Sequence, residues 1–246
     1  MNRLPRDLNR RQALAGFGSI SLGALLAACS GDDDAPTAEV ETSDGTTSTV
    51  EPKGSSSDLA SRFDDAATCT QTAEQTEGPF YFDVDSIRSD IREDRDGATL
   101  RLGVRVRSAG ECQPLANAVV DIWHCDAGGA YSGFEGEDGE TYLRGAQVTN
   151  REGIVEFTTV YPGWYPGRTV HIHAKVHVDR QTVLTTQFYF DDDFSTKVFE
   201  GDAYGSAADR DSFNDSDGIY DSALELTLSE EDDGHLGLIT LDVASA

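Results

Sequence analysis

The chain has 246 residues, 38% of them hydrophobic and 9% aromatic, and a formal net charge of -26. That length fits one mid-sized domain with appendages. So acidic a chain lacks the basic surface that phosphates require, which argues against nucleic acid as a partner.

Residues 1–28 read as an export signal rather than as part of a fold. Arg10-Arg11 precede an apolar run from Ala13 to Ala28. The run is short for a membrane span and is built like the n- and h-regions of a secretory signal. The paired arginines suggest the twin-arginine route. Leu26-Ala27-Ala28-Cys29 resembles a bacterial lipobox, which would make Cys29 the lipidated first residue of an exported chain. That lipid would be its sole contact with the cell membrane, on the extracytoplasmic side. The alternative is an ordinary secretory signal with an incidental cysteine. Residues 29–67 are rich in Asp, Glu, Ser, Thr and Gly with few large apolar side chains. Such a composition buries too little surface to offset chain entropy and predicts a disordered acidic linker. Cys69, Cys112 and Cys125 remain. Outside the cytoplasm they allow one disulfide and leave one thiol over, with the pairing open.

Residues 68–246 read as the folded domain, and as all-β. Leu100 to Arg107 and Gly153 to Val160 alternate with the period of two of half-buried strands. Ala118 to Trp123, Val170 to Val178, Val183 to Phe190 and Leu236 to Val243 complete the set, separated by Gly/Pro turns. Many short strands of this kind predict a β-sandwich of mainly antiparallel strands with long irregular loops. Asp191 to Tyr220 is a polar excursion with at most a helical turn.

His171 and His173 lie two apart on a predicted strand, so both imidazoles leave the same face and can converge on one metal ion. His177 continues that face but lies too far along to share the ion. Just upstream, Tyr161-Pro162-Gly163-Trp164-Tyr165-Pro166-Gly167-Arg168 holds two Tyr-Pro-Gly turns. It folds sharply onto the His strand and can present a phenol and a guanidinium there. Tyr142, Tyr161 and Trp164 are expected to shape the pocket wall, and His124 and His235 to be structural.

These blocks, taken in order, resemble the intradiol ring-cleavage dioxygenase family. Asp121-Ile122-Trp123-His124-Cys125-Asp126-Ala127 followed by Gly129-Ala130-Tyr131-Ser132-Gly133 is similar to the family's first ligand segment. Tyr142-Leu143-Arg144-Gly145 and Tyr161 to His173 are similar to the second. Thr76-Glu77-Gly78-Pro79-Phe80-Tyr81 resembles the N-terminal segment that borders the family's active site. The likeness runs from about residue 69 to the C-terminus. It implies iron(III) held by Tyr131, Tyr165, His171 and His173, with Arg168 stabilising developing negative charge and Gln187 steadying the surroundings. Tyr165 would also leave the metal and take a proton. Hard iron(III) prefers anionic oxygen, and two phenolates go far to balance its charge. The implied reaction opens a catechol-type diol between its two hydroxylated carbons with O2, giving a muconate-type diacid. Lacking a helical N-terminal dimerisation segment, the chain looks more like protocatechuate-type subunits, or their exported relatives, than catechol-type ones. The substrate stays open, as does oligomeric state, with a homo-oligomer as one outcome. Two other readings stand beside this one. An inactive exported sandwich could bind a ligand on the same scaffold. A cupin-type iron enzyme would want a carboxylate soon after His-x-His, where Ala174-Lys175-Val176-His177 stands instead.

Overall fold

The computed structural model describes residues 38–41, 46–50, 52, 59–63, 69–134, 136–179, 181–205 and 209–244. The expected signal and Cys29 lie outside the described residues. Ten strands run in chain order: β1 (Ala38–Glu41), β2 (Thr47–Val50), β3 (Thr99–Ser108), β4 (Val119–Trp123), β5 (Arg144–Val148), β6 (Ile154–Val160), β7 (His171–Val178), β8 (Gln181–Tyr189), β9 (Thr227–Glu231) and β10 (Gly234–Val243). One helix, α1 (Asp192–Val198), follows β8. No helix among the described residues is long and apolar enough to cross a membrane.

Two four-stranded sheets form the sandwich, in the orders β6-β3-β10-β9 and β5-β4-β7-β8. Pairing is antiparallel except between β3 and β10. Alternation along each strand sends Leu100, Leu102, Val104 and Val106 inward against Val120, Ile122, Ile172, Ala174 and Val176. These apolar rows form the main core. The same alternation leaves His171 and His173 on the outer face of the second sheet. Register does the rest: Trp123 pairs with Arg144 and with His173, and His173 pairs with Gln187. Arg144, Trp123, His173 and Gln187 therefore form one row across four strands.

The expected linker differs from its composition-based reading at two places. β1 and β2 pair as a hairpin, and Val40 is buried against Val119, Ala146 and Val148. Leu59 and Phe63, flanking the 3-10 turn Ala60–Arg62, are buried against Ile154, Leu236 and Leu238 on the outside of the first sheet. A few well-spaced apolar residues suffice here because the sheets supply the partner surface. Cys69 and Cys112 form the disulfide, and Cys125 is the buried free thiol. From Cys69 the chain passes Asp242, whose carbonyl accepts from Thr72 N (2.8 Å), then Thr185, whose carbonyl accepts from Gln75 N (2.8 Å). This path delivers residues 76–82 over the His face.

Candidate metal centre

The histidine pair is held in its neutral form with a nitrogen turned inward. His171 Nδ1 lies 2.7 Å from the Thr169 carbonyl, so it carries the proton and leaves Nε2 as the acceptor. That Nε2 stands 3.1 Å from His173 Nε2 and 3.0 Å from Tyr165 Oη. Burial, helped by the nearby Arg168 charge, pushes the His171 pKa down to about 3. Burial and the neighbouring His171 hold His173 well below its ordinary value. Both rings are thus in the state a metal ion requires. Trp123 stacks on His173 with centroids 5.0 Å apart and planes 5° apart. A Cβ at Gly78 would lie 3.0 Å from His173 Cε1, so the N-terminal segment presses closely on the ring.

The two phenols come from loops that are locked together. Asp126 Oδ1 accepts from Gly128 N and Ala130 N, both at 2.9 Å, and turns the chain sharply after β4. The Asp126 carbonyl accepts from Gly163 N at 3.0 Å, tying this loop to the one that carries Tyr165. Gly129 has φ +87°, and a Cβ there would lie 2.3 Å from the Trp164 carbonyl oxygen. Only glycine allows so close an approach. Tyr131 ends buried, stacked on Phe80 at 4.4 Å and edge-on to Tyr165 at 5.7 Å. Its hydroxyl is buried without a hydrogen-bond partner. Burial, with added repulsion from Cys125 and Tyr165, raises its pKa well above that of an ordinary phenol. Burial also raises Tyr165, opposed by Tyr131 and Arg168.

A partnerless buried hydroxyl beside two converging imidazoles is costly as it stands. A bound cation removes the cost by favouring the phenolate. Among the described residues no cluster of three or more His, Cys, Asp or Glu could hold a metal. The groups here that a cation could turn into anionic donors are the phenols of Tyr131 and Tyr165, a donor type suited to a hard trivalent ion.

Arg168 and Gln187 form the polar wall. Arg168 donates from Nη2 to Gln187 Oε1 at 2.6 Å and from Nε to Asp217 Oδ2 at 2.9 Å. Gln187, fully buried, donates to the Thr76 carbonyl at 3.0 Å. The structure thus gathers Tyr131, Tyr165, His171, His173, Arg168 and Gln187 in one place. Phe80, Trp123 and Arg144, which lie in the segments that resemble the family, belong to the same surroundings. Asp217 belongs there too and carried no signal in the sequence. Arg144 donates to Ser132 Oγ (2.8 Å) and to the Ser132 carbonyl (2.9 Å), next to Tyr131.

The expectation of a pocket wall is corrected for Tyr161 and Tyr142. Tyr161 lies in the main core, with its hydroxyl 2.8 Å from Ser195 Oγ, and Trp164 packs against that core. Tyr142 is buried with Leu143 and Val160. Tyr142 and Tyr161 are thus interior residues rather than a pocket wall, whereas Trp164 stays half-buried beside Tyr165. His124 is buried between the Cys125 carbonyl and Thr159 Oγ1, each at 2.7 Å, and stays apart from the histidine pair. His177 bonds to Thr182 at 3.1 Å.

A family model described as dioxygenase matches residues 76–211. An intradiol ring-cleavage dioxygenase from Tetranychus urticae superposes with a TM-score of 0.69 at 32% identity, covering 72% of this chain and 95% of that one. The dioxygenase domain of a carbohydrate-binding fusion from a Streptomyces species gives 0.57 at 31%, covering 72% and 99%. Catechol 1,2-dioxygenase 1 of Acinetobacter lwoffii is 31% identical over 147 residues, 50% of this chain and 47% of that protein. The chain spans about half the length of such curated relatives. Sandwich and matched segment define a protein of the dioxygenase class. Within it, the chain belongs to the intradiol ring-cleavage dioxygenase family.

Proposed function

We propose that the chain binds iron(III) through Tyr131, Tyr165, His171 and His173 and opens a catechol-type diol between its hydroxylated carbons with O2, yielding a muconate-type diacid. The observation that carries this reading is the meeting of Tyr165 Oη and the two Nε2 atoms within 3.0 and 3.1 Å, beside the partnerless Tyr131 hydroxyl. Iron(III), when bound, supplies a Lewis acid and a template for the diol and O2.

The side chains supply the remainder. His171, fixed by Thr169, and His173, held between Trp123 and Gly78, present neutral nitrogens. Tyr131, packed under Phe80, keeps its oxygen in a dry position. Tyr165 is only half-buried and sits on a turn, so its Oη is the one suited to move and take a proton from the diol. Arg168 holds a fixed positive charge beside that oxygen to stabilise negative charge as it develops. Gln187, on β8 opposite His173, anchors Arg168 beside the strand of the histidines.

The curated relative from Acinetobacter lwoffii is by name a catechol 1,2-dioxygenase, which supports an uncarboxylated catechol as substrate. Oxygen uptake by the iron-loaded chain on a panel of catechols, with product absorbance followed, tests the reaction. Stoichiometric uptake with appearance of a muconate chromophore is expected; no uptake on any diol would refute it. The motif ending in Cys29 further supports export and lipid attachment, and the Cys69–Cys112 disulfide suits a compartment outside the cytoplasm.

A further inference from the structure

The excursion between β8 and β9 has no counterpart in the proposed chemistry, yet it grips the segment that carries Arg168. Ser212 Oγ accepts from Gly167 N at 3.0 Å, and Asn214 Oδ1 accepts from Thr169 Oγ1 at 2.7 Å. Asn214 is itself fixed, donating from Nδ2 to the Phe190 carbonyl and from its backbone N to Asp192 Oδ2, both at 2.9 Å. Asp217 stands at the centre of this grip. Its Oδ2 accepts from Arg168 Nε at 2.9 Å and from Thr169 N at 3.0 Å, and its Oδ1 accepts from Ile219 N at 3.0 Å. The side chain is only 2% exposed.

We propose that Asp217 is a positioning residue, supplied by the excursion to set the direction of the Arg168 guanidinium. The inference rests on the function proposed for this site. The Nε and Nη2 edge of Arg168 is occupied by two fixed acceptors, Asp217 and Gln187. With one edge pinned, the planar fork has a single orientation, and that orientation fixes where its charge lies relative to the phenols and histidines. An exposed ion pair would not do this, because both side chains would keep their rotamer freedom. Asp217 does not act on substrate; it acts through Arg168.

Two measurements decide it. In metal-free protein, Arg168 Nε–H is expected to give a downfield, slowly exchanging signal in arginine-edited 15N NMR that moves and broadens in Asp217→Asn, which keeps the shape and removes the charge. An unchanged signal would overturn the clamp. In iron-loaded protein, Asp217→Ala is expected to lower kcat on the order of 10²-fold with little change in KM. In an Arg168→Ala background the same change is expected to lower kcat less than about threefold, because its effect passes through the missing guanidinium. Equal losses in both backgrounds would overturn the proposal, since a purely structural residue behaves that way. If Asp217→Ala does not fold, Asp217→Asn carries the same cycle. Absence of turnover by the native protein with every catechol would sink the reading of the site, and the Nε–H signal would still decide the clamp.

Discussion

At the scale of single residues, the site is defined by what burial does to four ionisable rings. Burial drives both histidines toward neutrality and both phenols toward protonation. A cation at the meeting point leaves the first pair as it is and reverses the second. Tyr131→Phe and Tyr165→Phe are therefore expected to lower turnover more than ~100-fold, since loss of a ligand exceeds the 10–100-fold typical of outer partners. Steady-state oxygen uptake reads this out. His124 offers a separate test. Burial lowers its pKa from 6.5 to about 4 despite its bond to the Cys125 carbonyl. The unfolded chain then takes up a proton that the folded chain refuses, so stability is full above about 6.5 and falls as pH drops toward 4. In His124→Gln, the slope of unfolding free energy against pH over that window is expected to shrink by about one proton, measured by denaturant titration of metal-free protein.

At the scale of elements, β3 and β7 were plain in the sequence because alternation there is strict, and His171 and His173 fell on one face as the period requires. β5 was not read as a strand. All five of its residues are buried, so it shows no alternation, and Arg-Gly-Ala-Gln-Val carries little hydrophobic signal. β9 is an edge strand and largely polar. The four proposed ligands were legible through the resemblance, whereas Asp217 was hidden in a run of polar residues whose partners only the fold reveals. β1, β2 and the turn at Ala60 went unseen for a similar reason: their apolar residues are few, and the sheets cover them. Phe63→Ala is expected to cost about 3 kcal/mol in chemical denaturation, whereas a tether would lose nothing. Replacing Cys69 and Cys112 by Ser, which opens a span of 43 residues, is expected to cost up to about 4 kcal/mol.

At the scale of the whole molecule, the charge of -26 sets the field through which any substrate arrives. Two cations near the site sit in ion pairs, Arg168 with Asp217 at 2.9 Å and Lys175 with Glu77 at 2.5 Å. Glu137, Asp138 and Glu140 follow Tyr131 in the same loop. A carboxylated catechol is therefore expected to show a higher KM than catechol at low ionic strength, with the gap narrowing as salt screens repulsion. Two-substrate kinetics across a salt series would show it. The sandwich itself is shared with the relatives from Tetranychus urticae and a Streptomyces species. On that sandwich this chain carries a wrapped N-terminal segment, a disulfide, and an excursion that seats Arg168.

The claim beneath all of this is that two phenols and two imidazoles hold one ferric ion. Metal analysis and visible absorption of the purified, iron-loaded chain test it together. A single iron per chain is expected, with a broad phenolate-to-iron absorption that weakens in Tyr131→Phe and in Tyr165→Phe. Folded protein that takes up no iron, or a visible spectrum indifferent to both substitutions, would contradict it.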